Sequence, residues 1–148
     1  MIDIQINGEQ ELNARLNKIA DAKWFDPFIK DLAQSVFDDI EQQYGKHSKT
    51  GMLEKSLGSG VEQLADHQYR VRSDGQIAPY NLFIEFGTRP HKIYPKDRKA
   101  LRWVGGNGFI FAKFVNHPGT TGDPIFSTAT DNVLQKFSEI AAKYMKDI

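Results

Sequence analysis

The chain of 148 residues contains no cysteine. A disulfide framework, a thiol nucleophile and the common zinc-thiolate sites are thereby excluded. It also lacks any apolar run near the ~20 residues that span a bilayer. Its opening, "MIDIQINGEQ", has neither the basic nor the apolar region of a secretory signal. These absences lead us to expect a soluble chain made in the cytoplasm, with no membrane partner. Sequence signatures of nucleotide and metal enzymes are missing too. There is no phosphate loop ending in Lys-Ser/Thr, no dinucleotide fingerprint, no "HExxH" and no calcium loop. "VGGNGF" at 104–109 is rich in glycine, but no Lys-Ser/Thr follows it. No internal repeat or low-complexity tract is visible.

What is present suffices for a core. With 40% apolar and 11% aromatic residues, a chain of this length is expected to fold as one domain, residues 1–148. Formal net charge is zero, yet residues 1–74 hold nine Lys or Arg against thirteen acids, and residues 75–148 hold ten against six. Charge is therefore segregated along the chain, which favours head-to-tail contact between copies if the fold keeps it segregated in space. A scattered, solvated surface is the plainer alternative.

Periodicity gives the elements. Ile2, Ile4 and Ile6 alternate as in a short strand that ends at Asn7-Gly8. Leu12, Leu16 and Ile19 recur at helical spacing, and the pattern resumes after Pro27 through Phe28, Leu32, Val36, Phe37 and Ile40 until Gly45. Pro27 either starts a second helix or kinks a single one. Trp24, Phe25 and Phe28 read as core. Thr50 is placed to cap a short helix over "GMLEKSLG", closed by Gly58 and Gly60, and "HQYRVRS" at 67–73 reads as a strand. "IAPYNLFIEFG" at 77–87 fits a strand or a helix equally, with Gly87 stopping either. "KALRW" and "GFIFAKFV" flank a glycine turn, and the second should bury one row while exposing Lys113. From Pro124 a stripe of Ile125, Ala129, Val133, Phe137, Ile140 and Tyr144 predicts a carboxy-terminal helix packed on the sheet. The fold class is α+β: an antiparallel sheet against a long N-terminal helical segment and a C-terminal helix.

The chemical candidates are few. His91 and His117 with Glu85 and Asp97 are the residue types of a metal site or a nuclease base, but their spacing matches no ligand pattern. The alternative is that both histidines bond loop backbone beside Pro90 and Pro118. His47, among Lys46, Ser48 and Lys49, reads as a solvated loop histidine. We assign no catalytic residue, no cofactor and no metal ligand. Glu85, between Ile84 and Phe86, asks for solvent or a partner such as Arg89. Arg89, Lys92, Lys96, Arg98, Lys99, Arg102 and Lys113, against Asp97, form a candidate phosphate-contact surface. No helix-turn-helix, zinc-finger or RNA-binding motif accompanies it. Trp103 is open between core and interface.

Three stretches in order, "KTGMLEKSL" (49–57), "APYNLFIEFGT" (78–88) and "FVNHPGTTGDPIFSTA" (114–129), resemble the tail-completion, or head-to-tail joining, proteins of long-tailed bacteriophages and prophages. The resemblance implies a non-enzymatic α+β virion component at the head-tail interface. It implies self-association into a hexameric ring that meets a head connector or adaptor on one side and a tail terminator or tail tube on the other. Non-specific contact with DNA in a channel is a further implied partner. Tyr80, Phe83, Glu85, Phe86, Gly87 and Thr88 match the family's aromatic segment ending in "EFGT", and His117, Pro118, Gly119 and Thr120 match its loop. Pro124, Ile125, Phe126 and Ala129 match the entry to its last helix. Ser127 and Thr128 depart from the family there, where a basic residue and a proline are common. The other reading the residues allow is a small DNA-binding or metal-dependent DNA-processing protein that uses the basic segment 89–113.

Overall fold

The computed structural model describes residues 9–106 and 108–146. The strand expected over Ile2, Ile4 and Ile6 lies outside the described residues. Helix and strand are mixed, as the patterning requires. The described chain divides into two compact units. One is formed by Met1–Ala78 with Ile125–Ile148, the other by Pro79–Pro124.

The first unit is helical. α1 spans Glu9–Asp21, α2 Phe25–His47 and α3 Met52–Ser56. Pro27 falls in the first turn of α2, where its missing N–H costs no helical bond, so the proline opens a second helix. Gly45 does not stop α2, which runs on to His47 in its last turn. The expected Thr50 cap is not made. Gly51, left-handed at φ 72°, precedes α3, and the Ser48 hydroxyl accepts from the Gly51 N–H at 2.9 Å. β1 (Glu62–Ala65) and β2 (Gln68–Arg70) form an antiparallel hairpin.

The C-terminal stripe makes two helices rather than one, and in this chain it faces a helix rather than a sheet. The helices, α5 (Ile125–Gln135) and α6 (Phe137–Met145), meet at Lys136. They run antiparallel to α2. Tyr44, near the end of α2, meets Phe126 with ring centres 6.2 Å apart, whereas Phe28, at its start, meets Phe137 at 5.5 Å and Tyr144 at 5.7 Å. Midway, the Asn132 amide donates to the Asp39 carboxylate at 2.7 Å. Phe28, Leu32, Val36, Ile40 and Tyr44 follow one another at four-residue spacing. They lie in the path of Val133 and Ile140 at one end and Ile125 and Ala129 at the other, all four of which are buried. Each large buried side chain contributes about 1.5–3 kcal/mol. A stripe declares which face is buried, not what covers it, which is why a helix could take the place expected of a sheet.

Asp26 ties the β1–β2 hairpin to the start of α2. Its carboxylate accepts from the Tyr69 hydroxyl at 2.8 Å and from the His67 N–H at 3.0 Å, and the His67 ring lies 3.2 Å away. His67 turns the hairpin with a left-handed φ of 60°. The Tyr69 hydrogen bond holds the Asp26 carboxyl below its ordinary value and pushes the Tyr69 phenol up.

The second unit begins with α4 (Asn81–Phe86), so the ambiguous aromatic run is a short helix, ended by Gly87. Six short strands follow: β3 (Gly87–Thr88), β4 (His91–Ile93), β5 (Leu101–Gly105), β6 (Gly108–Ala112), β7 (Val115–His117) and β8 (Thr120–Thr121). They pair antiparallel as β3 with β8, β4 with β7 and β5 with β6.

Candidate functional site

This nesting makes residues 87–121 of the second unit a single long hairpin arm. From Gly87↔Thr121 through Thr88↔Thr120 and His91↔His117 to Ile93↔Val115, each step forward on one strand matches one step back on the other. The register then jumps, because Leu101 faces Ala112. Residues 94–100 on the outgoing side oppose only 113 and 114 on the return. The surplus is the loop "YPKDRKA", extruded from the middle of the arm.

The base of the arm is a clasp of close backbone contacts. A Cβ on Gly87 would overlap the Thr120 carbonyl oxygen, one on Gly119 the Thr88 carbonyl oxygen, and one on Gly122 the backbone of Glu85 and Phe86. Gly87 and Gly119 also need positive φ, at 71° and 88°. The Thr88 hydroxyl accepts from the Thr120 N–H and contacts the Thr120 hydroxyl, each at 3.1 Å, and the Asp123 N–H donates to the Ile84 carbonyl at 2.7 Å. "EFGT" and "HPGTTGD", far apart in sequence, thus close on one another.

His91 and His117 are direct cross-strand partners with ring centres 5.1 Å apart. Their Nδ1 atoms are engaged with the backbone. His91 Nδ1 lies 2.8 Å from the Arg89 carbonyl oxygen and therefore donates, whereas His117 Nδ1 accepts from the Gly119 N–H at 3.1 Å. The neutral His117 ring then carries its proton on Nε2. To present two Nε2 lone pairs to one metal, His117 would have to release the Gly119 N–H, so the pair serves the turn geometry more directly than a metal. Among the described residues no three His, Cys, Asp or Glu side chains come together as a metal site.

Beyond the histidines, the arm is basic and uncovered. In the distal hairpin Arg102, Val104, Phe109 and Phe111 share one face, and Leu101, Trp103, Ile110 and Ala112 the other. Neither row is buried, contrary to the strand pattern of "FIFAKFV": Val104 is 76% exposed, Phe111 65% and Trp103 40%. A two-stranded ribbon has no second layer, so its alternation sorts residues into faces without hiding either. The Arg102 guanidinium lies 3.7 Å from the Phe109 ring centre and the Lys92 ammonium 4.9 Å from that of Phe114. Lys96, Arg98 and Arg102 border an open groove beside Phe111.

The structure therefore distributes the candidate residues along one unit. Tyr80 precedes α4, which carries Phe83, Glu85 and Phe86, with Phe83 and Phe86 exposed. Gly87, Thr88, Pro118 and Gly119 build the base, Arg89, His91, Lys92 and His117 the middle, and Lys96, Arg98, Lys99, Arg102 and Trp103 the loop and distal hairpin. Val104, Phe109, Ile110 and Phe111 were missed as surface residues, because a run of aromatic and branched side chains reads as buried strand. Gly122 was missed for want of any local signal, since its constraint comes from a segment over thirty residues away.

The fold and site define an α+β protein with a helical unit and a basic, apolar hairpin arm. Comparison with protein families, with curated proteins and with solved structures finds no match in any of the three. Among the described residues, no helix is long and apolar enough to cross a membrane.

Proposed function

We propose that the chain is a non-enzymatic structural subunit of a phage virion that completes the junction between head connector and tail as a hexameric ring. The observation that carries this reading is the arm. Two of the three stretches that resemble tail-completion proteins, 78–88 and 114–129, supply both sides of its clasped base. Beyond that base the arm offers large apolar side chains on both faces, a surface suited to burial against protein. In this reading the subunit is made in the bacterial cytoplasm and functions at the head-tail interface. Its neighbours are a connector or adaptor and a tail terminator or tube.

The test is reconstitution. Purified protein mixed with isolated tails is expected to form a ring at the head-proximal end, visible by negative-stain imaging. Tails that remain bare at saturating protein would refute the reading.

A second reading, DNA contact, is favoured by Lys96, Arg98, Lys99 and Arg102 on the arm. It calls for duplex binding that weakens steeply with salt and is lost when Lys96, Arg98 and Lys99 become alanine. Such binding by the isolated chain, with no attachment to tails, would make this the better account.

A further inference from the structure

We propose that the basic loop and distal hairpin of one copy dock in an acidic groove on the helical unit of a second copy. The proposal rests on the ring reading above and names its interface. The charge asymmetry seen along the sequence keeps its size when counted by unit, with the positive excess confined to a shorter stretch. Residues 79–124 hold seven Lys or Arg against three acids, while the remainder of the chain holds twelve against sixteen. The unit that bears the arm is thus +4 and the helical unit −4.

Specific groups on each side lack a counter-charge. A groove of about 520 Å³ runs between α2 and the α5–α6 pair, lined by the acids Asp38, Asp39 and Glu139 against the lysines Lys136 and Lys143, with Gln42 and Asn132 among its other residues. Asp38 accepts from the Gln34 amide at 2.8 Å and Asp39 from Asn132, so both are fixed by neutral donors. Among the described residues no cation lies within ion-pair distance of Asp38, Asp39 or Glu139. Of the two lysines that also line the groove, Lys143 is turned toward Asp31 at 4.0 Å. On the arm, Lys96, Arg98 and Lys99 likewise have no carboxylate partner among the described residues. The groove carboxylates and the arm cations are thus each without an ion-pair partner, and opposed charges of this kind select partner and register.

The apolar part of the arm favours a protein occupant over a nucleic acid. Val104, Phe109 and Phe111 have no group that bonds a phosphate, and the stacked bases of a duplex offer their rings no free face, whereas together with Trp103 and flanking cations they make an interface patch with aromatic anchors and a charged rim. Because arm and groove are different surfaces of the same chain, the contact is heterologous. Repeated from copy to copy with a rotation that closes, it generates a ring.

Two charge-reversed variants test this. One carries Lys96→Glu, Arg98→Glu and Lys99→Glu, and the other Asp38→Lys and Glu139→Lys; Asp39 is left intact because it holds Asn132. Sedimentation equilibrium at low and high salt reads association, and circular dichroism checks that each variant is folded. The wild-type chain is expected to associate in a concentration-dependent, salt-weakened manner. Each variant alone should associate roughly a hundredfold more weakly. An equimolar mixture should recover association, because native arm meets native groove at one contact and reversed arm meets reversed groove at the next. Should the groove double variant unfold, Glu139→Lys alone, at an exposed site, carries the same expectation in smaller measure.

A wild-type chain that stays monomeric at low salt would overturn the proposal. So would a groove variant that associates normally, which would assign pairing to arm against arm, or a mixture without recovery. The two levels separate cleanly. Groove variants that associate and decorate tails like wild type would remove this interface and leave the connector reading, while reciprocal charge rescue without tail binding would do the reverse.

Discussion

Replacing Gly119 by alanine tests whether close backbone approach, rather than turn flexibility, holds the arm at its base. Two costs are expected. Alanine at φ 88° incurs left-handed strain of about 1–2 kcal/mol. Its Cβ would also overlap the Thr88 carbonyl oxygen, an atom of the opposing backbone that cannot swing aside as a side chain would. Relief requires the strands to part, which breaks the Thr120 N–H bond to the Thr88 hydroxyl and the contact between the two hydroxyls. At about 1 kcal/mol each, these raise the total to roughly 3–4 kcal/mol. Gly58 is the control: it has a similar φ of 70° with open space within 4 Å of where a methyl would sit, so its alanine variant should lose only the strain, about 1–2 kcal/mol. Since the arm is a separate compact unit, the assay is amide hydrogen exchange. Peptides covering 87–93 and 115–121 in Gly119→Ala should exchange on the order of a hundredfold faster than wild type. Denaturant unfolding suits Gly58→Ala, which lies in the helical unit. If Gly119→Ala left arm exchange within about tenfold of wild type, close approach would not be what the glycine is for.

Phe28→Ala should destabilise the helical unit by about 3–5 kcal/mol in urea unfolding, because Phe28 is 5% exposed and packs on Phe137 and Tyr144. A loss below about 1 kcal/mol would mean that the α2–α6 contact is not a core. Acidification should release the β1–β2 hairpin from α2. The Asp26 carboxyl is held below its ordinary value, so its contribution is complete above that value, near 3.8, and is lost as pH falls through the lowered one. Asp26→Asn should flatten this part of the acid limb of a stability profile; an unchanged limb would refute the assignment.

Much of the helical unit was legible because a single four-residue stripe runs along α2 and a matching stripe along the C-terminal segment. Pro27 left two outcomes open in the sequence, a new helix or a kink, and the structure takes the first, where a proline costs no helical bond. The arm was less legible. Its turn at Gly105–Gly108 could be read from composition, but the continuity of the strands on both sides of the loop could not, because seven residues against two erase the common register. Proximity of His91 to His117 follows from that register alone, which no spacing in the sequence expresses. "NLFIEF" stayed undecided because six residues contain too few repeats to separate a period of 2 from one of 3.6.

The asymmetric loop at 94–100 separates chain length from pairing. The ladder toward the base and the ladder toward the tip each hold their own register, so residues added between Ile93 and Leu101 would change neither set of inward and outward side chains. Closure entropy rises by only about 0.6 kcal/mol when such a loop doubles in length. A peptide tag or fluorophore inserted there would travel with the arm while leaving both of its ribbons in phase, whether the number of residues added is odd or even.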